Sequence, residues 1–375
     1  MSDNSWQKGY SEYFASLEKQ LDKSKNADNN ATPSLQKKVV TIHKKRKKGI
    51  YKVLRIRKSV LAVALALVLI ITLASVLGGS KKANADEQGT TSTEQLDTHE
   101  IVENVPKLAY SATESTVAIP ASNDAKSAII VDKSTNTIVA ERNIHTKTYP
   151  ASTTKIMTLL VAVENIKDLN DTFTMSLDIT DPLYIADASV AGFLNGEKVS
   201  MKDMLYGTIL PSGADAAMGL AIKISGSEEE FVKLMNKKVK ELGLNNTNFT
   251  NVTGLHNVNN YSSAYDMAII LDAALQNDIC KEVLSTYQYT TAKSPQNPEG
   301  IPLSSTLFSY MYGTEPETAT ILGGKTGFVN ESGYCIASYG EANESGNEYI
   351  VITLGNSARW PAFYGQIDLY KEFAK

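Results

Sequence analysis

The stretch Tyr149-Pro-Ala-Ser-Thr-Thr-Lys-Ile-Met-Thr-Leu-Leu-Val-Ala-Val163 decides how the rest of this 375-residue chain is read. Pro150 is a helix-start signal, and the residues beyond it are apolar on most sides, which predicts a buried helix. Ser152 and Lys155 stand three residues apart, one turn along one helix face, so a hydroxyl and an amine can touch. A helix N-terminus adds unpaired N–H groups and a positive dipole end, which favour an alkoxide-like nucleophile and a nearby oxyanion. To act as a base, Lys155 must be neutral. Burial among Ile156, Met157, Leu159 and Leu160 would depress its pKa, and Lys325, as a second cation, would depress it further.

Working outward, 127–132 (SAIIVD) and 137–142 (TIVAER) are β-rich runs around Lys133-Ser134-Thr135-Asn136, which predicts a hairpin. Helical periodicity recurs over 201–210, 214–224, 228–242 and 265–275. Residues 333–339 and 348–354 alternate like strands across a turn-rich 343–347. Residues 360–375 close as a helix with Phe363, Ile367, Tyr370 and Phe373 on one stripe. No internal repeat is evident. Helices inserted between strands, without regular alternation, predict a mixed α/β domain over 112–375.

Several chemistries are excluded by inspection. The chain has no His-Glu-x-x-His, no Gly-x-Ser-x-Gly and no Gly-x-Gly-x-x-Gly. Of four histidines, His43 and His99 lie outside the folded part, leaving only His145 and His256 for a Ser-His-Asp scheme. Gly324-Lys325-Thr326 imitates the end of a phosphate loop, but the first glycine would fall at Ala319 and 327–329 looks like strand, so nucleotide binding is rejected. Two cysteines, Cys280 and Cys335, exclude a disulfide scaffold and any four-cysteine metal site. No metal or cofactor is implied.

A serine activated without histidine remains. Ser-x-x-Lys alone is weak, since it also occurs at Ser5, Ser16 and Ser34. It gains weight from Pro211-Ser212-Gly213, 60 residues on, and from Lys325-Thr326-Gly327 on a predicted strand. With these in place the sequence resembles the serine D-alanyl-D-alanine carboxypeptidases, the low-molecular-mass penicillin-binding proteins. Tyr149 to Met157 is similar to that family's nucleophile motif, and Gly324-Lys-Thr-Gly-Phe-Val-Asn-Glu-Ser-Gly-Tyr-Cys335 to its third motif. Asn251-Val-Thr-Gly-Leu-His256 with Tyr261-Ser-Ser-Ala-Tyr-Asp266 is similar to another characteristic stretch.

The resemblance implies a β-lactamase/transpeptidase-like fold: a five-stranded antiparallel sheet flanked by helices, a helical subdomain, and the site where they meet. It implies Ser152 as acylated nucleophile, Lys155 as its base and Ser212 as a proton-relay hydroxyl. Lys325 with Thr326 would anchor the substrate's terminal carboxylate. Gly327 would let the substrate backbone lie against the strand edge, and the N–H groups of Ser152 and Phe328 would form the oxyanion hole. Implied ligands are peptidoglycan stem peptides ending in D-Ala-D-Ala, with β-lactams as inhibitors. The second motif departs from the family's Ser-x-Asn, because its third position is Ala214. Asp215 either compensates or serves as a helix-start residue, the second being favoured.

Charge divides the chain. Residues 1–59 carry 15 Lys/Arg against 5 Asp/Glu, and the remainder 22 against 36. Between them, 60–77 (VLAVALALVLIITLASVL) has no charge over 18 residues, about 27 Å as a helix at ~1.5 Å per residue, close to a bilayer core of ~30 Å. The basic residues from Lys44 to Lys58 predict a cytoplasmic N-terminus and everything beyond Leu77 outside a bacterial cell membrane. Anionic lipid, and not nucleic acid, is the expected partner of that run. Ala83-Asn84-Ala85 also fits a signal-peptide cleavage pattern, but an uncleaved anchor is favoured. Residues 78–111 read as a polar linker. In the tail, Trp6, Tyr10, Phe14, Leu17 and Leu21 form an amphipathic stripe that could dock a partner.

The leading expectation is thus a membrane-anchored D,D-carboxypeptidase. A weakly catalytic penicillin-binding or scaffold protein is the alternative that Ala214 favours. A β-lactamase is disfavoured, although Glu241-Leu-Gly-Leu-Asn245 fits one deacylation spacing, because Gly243 marks the end of a helix there.

Overall fold

A computed structural model describes residues 108–311 and 313–375. The predicted tail, the membrane segment at 60–77 and most of the linker lie outside the described residues. Among the described residues no helix is long and apolar enough to cross a membrane.

Strands β1 (Ser111–Ala118), β2 (Ser127–Asp132) and β3 (Thr137–Arg142) open the domain. A tight turn of 3-10 helix (Ala151–Thr154) then runs into α1 (Lys155–Asn165). A helical region follows, with β4 (Thr172–Thr174), α2 (Leu177–Ile185), β5 (Lys198–Ser200), α3 (Met201–Ile209), α4 (Ala214–Ser225), α5 (Glu228–Glu241), α6 (Ala264–Leu275) and α7 (Asp278–Ser285). Beyond it come β6 (Gln288–Thr290), β7 (Pro302–Ser304), α8 (Thr306–Met311), β8 (Ala319–Val329), β9 (Gly333–Ala342), β10 (Glu348–Asn356) and α9 (Arg359–Phe373). The main sheet has the order β1-β3-β2-β10-β9-β8, so the last three strands bring the chain back beside the first hairpin.

Alternation on the central strands explains the layers. On β2, Ile129 and Val131 enter one apolar core while Ala128 and Ile130 enter the other. On β10, Ile350, Ile352 and Leu354 face the first core while Tyr349 and Val351 face the second. The first core packs the sheet on α1, α3, α4, α5 and α6, and the second packs its reverse face on α8 and α9. A sheet buried on both faces needs helices on both sides, which is the mixed α/β class expected.

The sheet has six strands, not the five expected, and it is not wholly antiparallel, because β1 pairs with β3 in parallel. Sequence patterning misses β1 because SATESTVA is exposed at nearly every position, so no apolar alternation marks it. Backbone hydrogen bonds hold this edge strand. Tyr110, placed in the linker by composition, is buried, and its hydroxyl donates to Asp272 Oδ2 at 2.5 Å. Helix α2 was also missed: it contains Pro182 and buries only Ile179 and Leu183.

Candidate active site

The 3-10 turn that carries Ser152 is pressed against β8 and the loop at 251–255. Ala151, just before the serine, is buried with φ 49°, a left-handed conformation costly for a residue with a Cβ. A Cβ on Gly254 would overlap the Ala151 carbonyl, and one on Gly327 would stand 2.8 Å from Ser152 N. Gly327 is therefore small because the nucleophile's own backbone packs there, a reason distinct from the expected approach of substrate.

Lys155 is the first residue of α1, and its side chain is enclosed in the core. Its Nζ is hydrogen-bonded to Ser152 Oγ at 3.0 Å and donates to the Thr253 carbonyl at 2.7 Å. Ser152 Oγ lies 3.5 Å from the same carbonyl. Asn251 orients it: Asn251 Oδ1 accepts from the N–H groups of Thr253 (3.2 Å) and Gly254 (2.7 Å). Burial lowers the Lys155 pKa to about 7, while the negative charge of Asp215 pulls upward. A lysine of that kind is substantially neutral at physiological pH and can accept a proton.

Lys325 is also buried, on β8, with Nζ donating to the Thr326 carbonyl at 2.7 Å. Burial, reinforced by the charge of Lys155, holds its pKa well below the ordinary lysine value. Its neighbours Thr326, Gly327 and Phe328 form the wall of a cleft of about 780 Å³ that also exposes Ser152, Lys155, Ser212 and Ala214. Lys325 itself is buried behind these residues and does not line the cleft. An exposed cation on the cleft is Arg359, at the start of α9, stacked 4.7 Å over the Tyr310 ring. Thr326 Oγ1 shares a 2.7 Å hydrogen bond with Thr306 Oγ1.

The second motif is a locked turn. Ser212 has φ 65°, and Gly213 has no room for a side chain, since a Cβ would meet Gly207 O at 2.5 Å and Ala191 N at 2.7 Å. Asp215 is buried in the first turn of α4, with Oδ1 accepting from the N–H of Ala191 (2.7 Å) and Ala216 (2.9 Å). Its Oδ2 accepts from Gly192 (3.0 Å) and Phe193 (3.2 Å).

Three segments distant in sequence, the turn at Ala151–Thr154, the Ser212 turn and the 251–255 loop, each with a left-handed residue, converge on one serine and one depressed lysine. The sequence profile of the D-alanyl-D-alanine carboxypeptidases matches residues 113–358. The chain belongs to that family. Among related D-alanyl-D-alanine carboxypeptidases, it is 35% identical to DacF of Bacillus subtilis over 241 residues, 63% of this chain and 58% of that one. It is 40% identical to DacC of Escherichia coli over 177 residues, 46% of this chain and 44% of that one. The chain spans about half the length of these curated relatives. The crystal structure of a Streptomyces DD-transpeptidase superposes with a TM-score of 0.59 at 28% identity, covering 66% of this chain and 97% of that one. Penicillin-binding protein 5 from Haemophilus influenzae gives 0.57 at 29%, covering 68% and 70%.

Sequence reasoning missed the Thr253 carbonyl, Asn251, Thr306 and Arg359. The 251–256 stretch stood out by resemblance without a role, whereas Arg359 carries no signal, since one arginine before an aromatic helix looks like ordinary surface. His256 lines the cleft edge-on to Tyr149, with ring centroids 4.7 Å apart. His145 packs on Tyr265 instead. Glu241 ends α5 in ion pairs with Lys237 and Lys238 and is not part of the cleft. Both cysteines are free and buried, their thiol pKa values pushed up by burial.

Proposed function

We propose that this protein is a serine D-alanyl-D-alanine carboxypeptidase that removes the terminal D-alanine of peptidoglycan stem peptides through an acyl-enzyme on Ser152. One observation carries the reading: a buried lysine with a pKa of about 7 lies 3.0 Å from a serine hydroxyl at the mouth of a cleft. Lys155 takes the Ser152 proton as Oγ attacks the carbonyl carbon of the penultimate D-alanine. The N–H groups of Ser152 and Phe328, on either side of Gly327, receive the oxyanion. Ser212 passes a proton to the departing amine, free D-alanine leaves, and water then hydrolyses the ester.

The terminal carboxylate is assigned to the Thr326 hydroxyl, braced by Thr306, and to the guanidinium of Arg359, with Lys325 behind them, whose ammonium form a bound carboxylate would favour. β-Lactams would acylate the same serine. We also propose a single-pass anchor at 60–77 with a cytoplasmic tail, supported by the uncharged run and the basic residues before it.

Incubation of the purified protein with penicillin, followed by intact mass, should show one penicilloyl adduct on wild type and none on Ser152→Ala. A peptide ending in D-Ala-D-Ala should then lose D-alanine. An adduct without release would favour the second reading, a slow or recognition-only protein, for which Ala214 is the motivating residue. No adduct on folded wild type would refute the assignment of Ser152. The anchor fails if alkaline carbonate releases the expressed chain from membranes.

A further inference from the structure

Residues 212–215 join the second motif to the neighbouring stretch of cleft lining at 186–193. The residues just before the Asp215-bound loop, Ala186, Asp187, Ala188 and Ser189, line the cleft directly. Asp215 gathers three consecutive N–H groups of that loop, at Ala191, Gly192 and Phe193, and the Ala214 N–H returns a bond to the Ser189 carbonyl at 2.8 Å. Gly213 N donates to Gly207 O at 2.9 Å. A left-handed serine persists only where its surroundings fix it, and this carboxylate fastens the chain just after Ser212 to the 191–193 loop.

We propose that Asp215 is a positioning residue for acylation: it ties the Ser212 turn to the 186–193 wall and presents a fixed negative charge to the base Lys155. The inference rests on Ser152 and Lys155 being nucleophile and base. Asp215 from α4 is the charge that acts on Lys155, and Lys155 in turn acts on Lys325 of β8; the cleft adds Asp187, His256, Tyr310, Glu331, Tyr334 and Arg359. Asp215 stabilises the ammonium form of Lys155 against burial, which favours the amine. Removing the negative charge therefore lowers the Lys155 pKa and extends base activity to lower pH.

The test is the rate of penicillin acylation of the full chain from pH 5 to 9, for wild type, Asp215→Asn, Asp215→Glu and Glu197→Gln. Glu197 is the control, because its buried carboxylate fastens the far end of the same loop at Leu194 N (2.8 Å). Asp215→Asn should lower the rate at pH 8 by about tenfold through a looser wall. Its ratio to wild type should nevertheless rise about threefold on going to pH 5.5, as for a half-unit displacement of the acid limb. Asp215→Glu should slow acylation with the wild-type limb, and Glu197→Gln likewise.

An unmoved or raised limb in Asp215→Asn overturns the proposal, as does an equal shift in Glu197→Gln. Should Asp215→Asn fail to fold, a limb displaced by more than about half a unit in folded Asp215→Glu overturns it, and an unchanged limb supports it. Wild type that forms no adduct at any pH sinks the functional reading itself, a result distinct from an adduct whose limb ignores Asp215.

Discussion

Two kinds of charged side chain are buried in this domain, and they are treated in opposite ways. The carboxylates are surrounded by donors: Asp215 accepts four backbone N–H bonds, and Asp203 accepts from the hydroxyls of Ser200 and Tyr289 at 2.7 Å each. The lysines are left wanting, since among the described residues neither Lys155 nor Lys325 belongs to an ion pair, and Lys325 has one carbonyl. Burial with enough partners makes structure, because the hydrogen bonds offset the cost of taking the charge out of water. Burial without them makes chemistry, because the charged form is penalised and a proton becomes mobile near neutral pH.

The largest effect should come from removing one unsatisfied lysine. Lys155→Met should slow penicillin acylation by about 10²–10⁴-fold, the usual worth of a general base, while raising the melting temperature at pH 7, because an amine that resists burial has gone. A fall in melting temperature would show that Lys155 is better accommodated than its surroundings indicate. Gly254→Ala should come next, with acylation lowered about 100-fold as the Cβ forces the Ala151 carbonyl and the serine turn aside; stopped-flow acylation alongside calorimetry separates this from global unfolding.

Arg359→Ala should reduce kcat/KM for a peptide with a free carboxylate about tenfold and leave the C-terminal amide unaffected. Equal losses on both peptides would remove Arg359 from the carboxylate site.

pH tests the same contrast without mutation. Acylation should fall as pH drops through about 7, where Lys155 protonates. For stability the sign follows from a native pKa below the ordinary 10.5: between about 7 and 10.5 the unfolded chain binds the extra proton, so stability attributable to Lys155 rises with pH across that window. Denaturant midpoints from pH 7 to 9.5 check this, and a slope that vanishes in Lys155→Met assigns it. The smallest effect is expected from Ala214→Asn, which restores the family's amide and should raise turnover by no more than about fivefold, the worth of one hydrogen bond. A larger gain would mean that this position limits the enzyme.

Much of the scaffold was legible beforehand. The hairpin, α1, α3 to α6, the closing strands and α9 follow from apolar periodicity, which reports burial directly. β1 and α2 did not, since an exposed edge strand and a helix showing two buried residues leave little periodic trace. In the site, Ser152 and Lys155 could be paired because three residues along a helix is a local distance. Arg359, Thr306 and the Thr253 carbonyl could not, being brought in by packing between elements 101 to 207 residues away from the serine.

By itself the sequence determined which residue types exist for the chemistry, that histidine and metal sites were absent as motifs, and which segments would be buried, because composition and local spacing act before the chain folds. Only the tertiary structure decided that Gly327 is small for the nucleophile's sake, that Lys325 stands behind the cleft and Arg359 on it, and that Asp215 ties the Ser212 turn to the 191–193 loop. Those facts depend on which backbone groups meet across space, and no local pattern encodes such meetings.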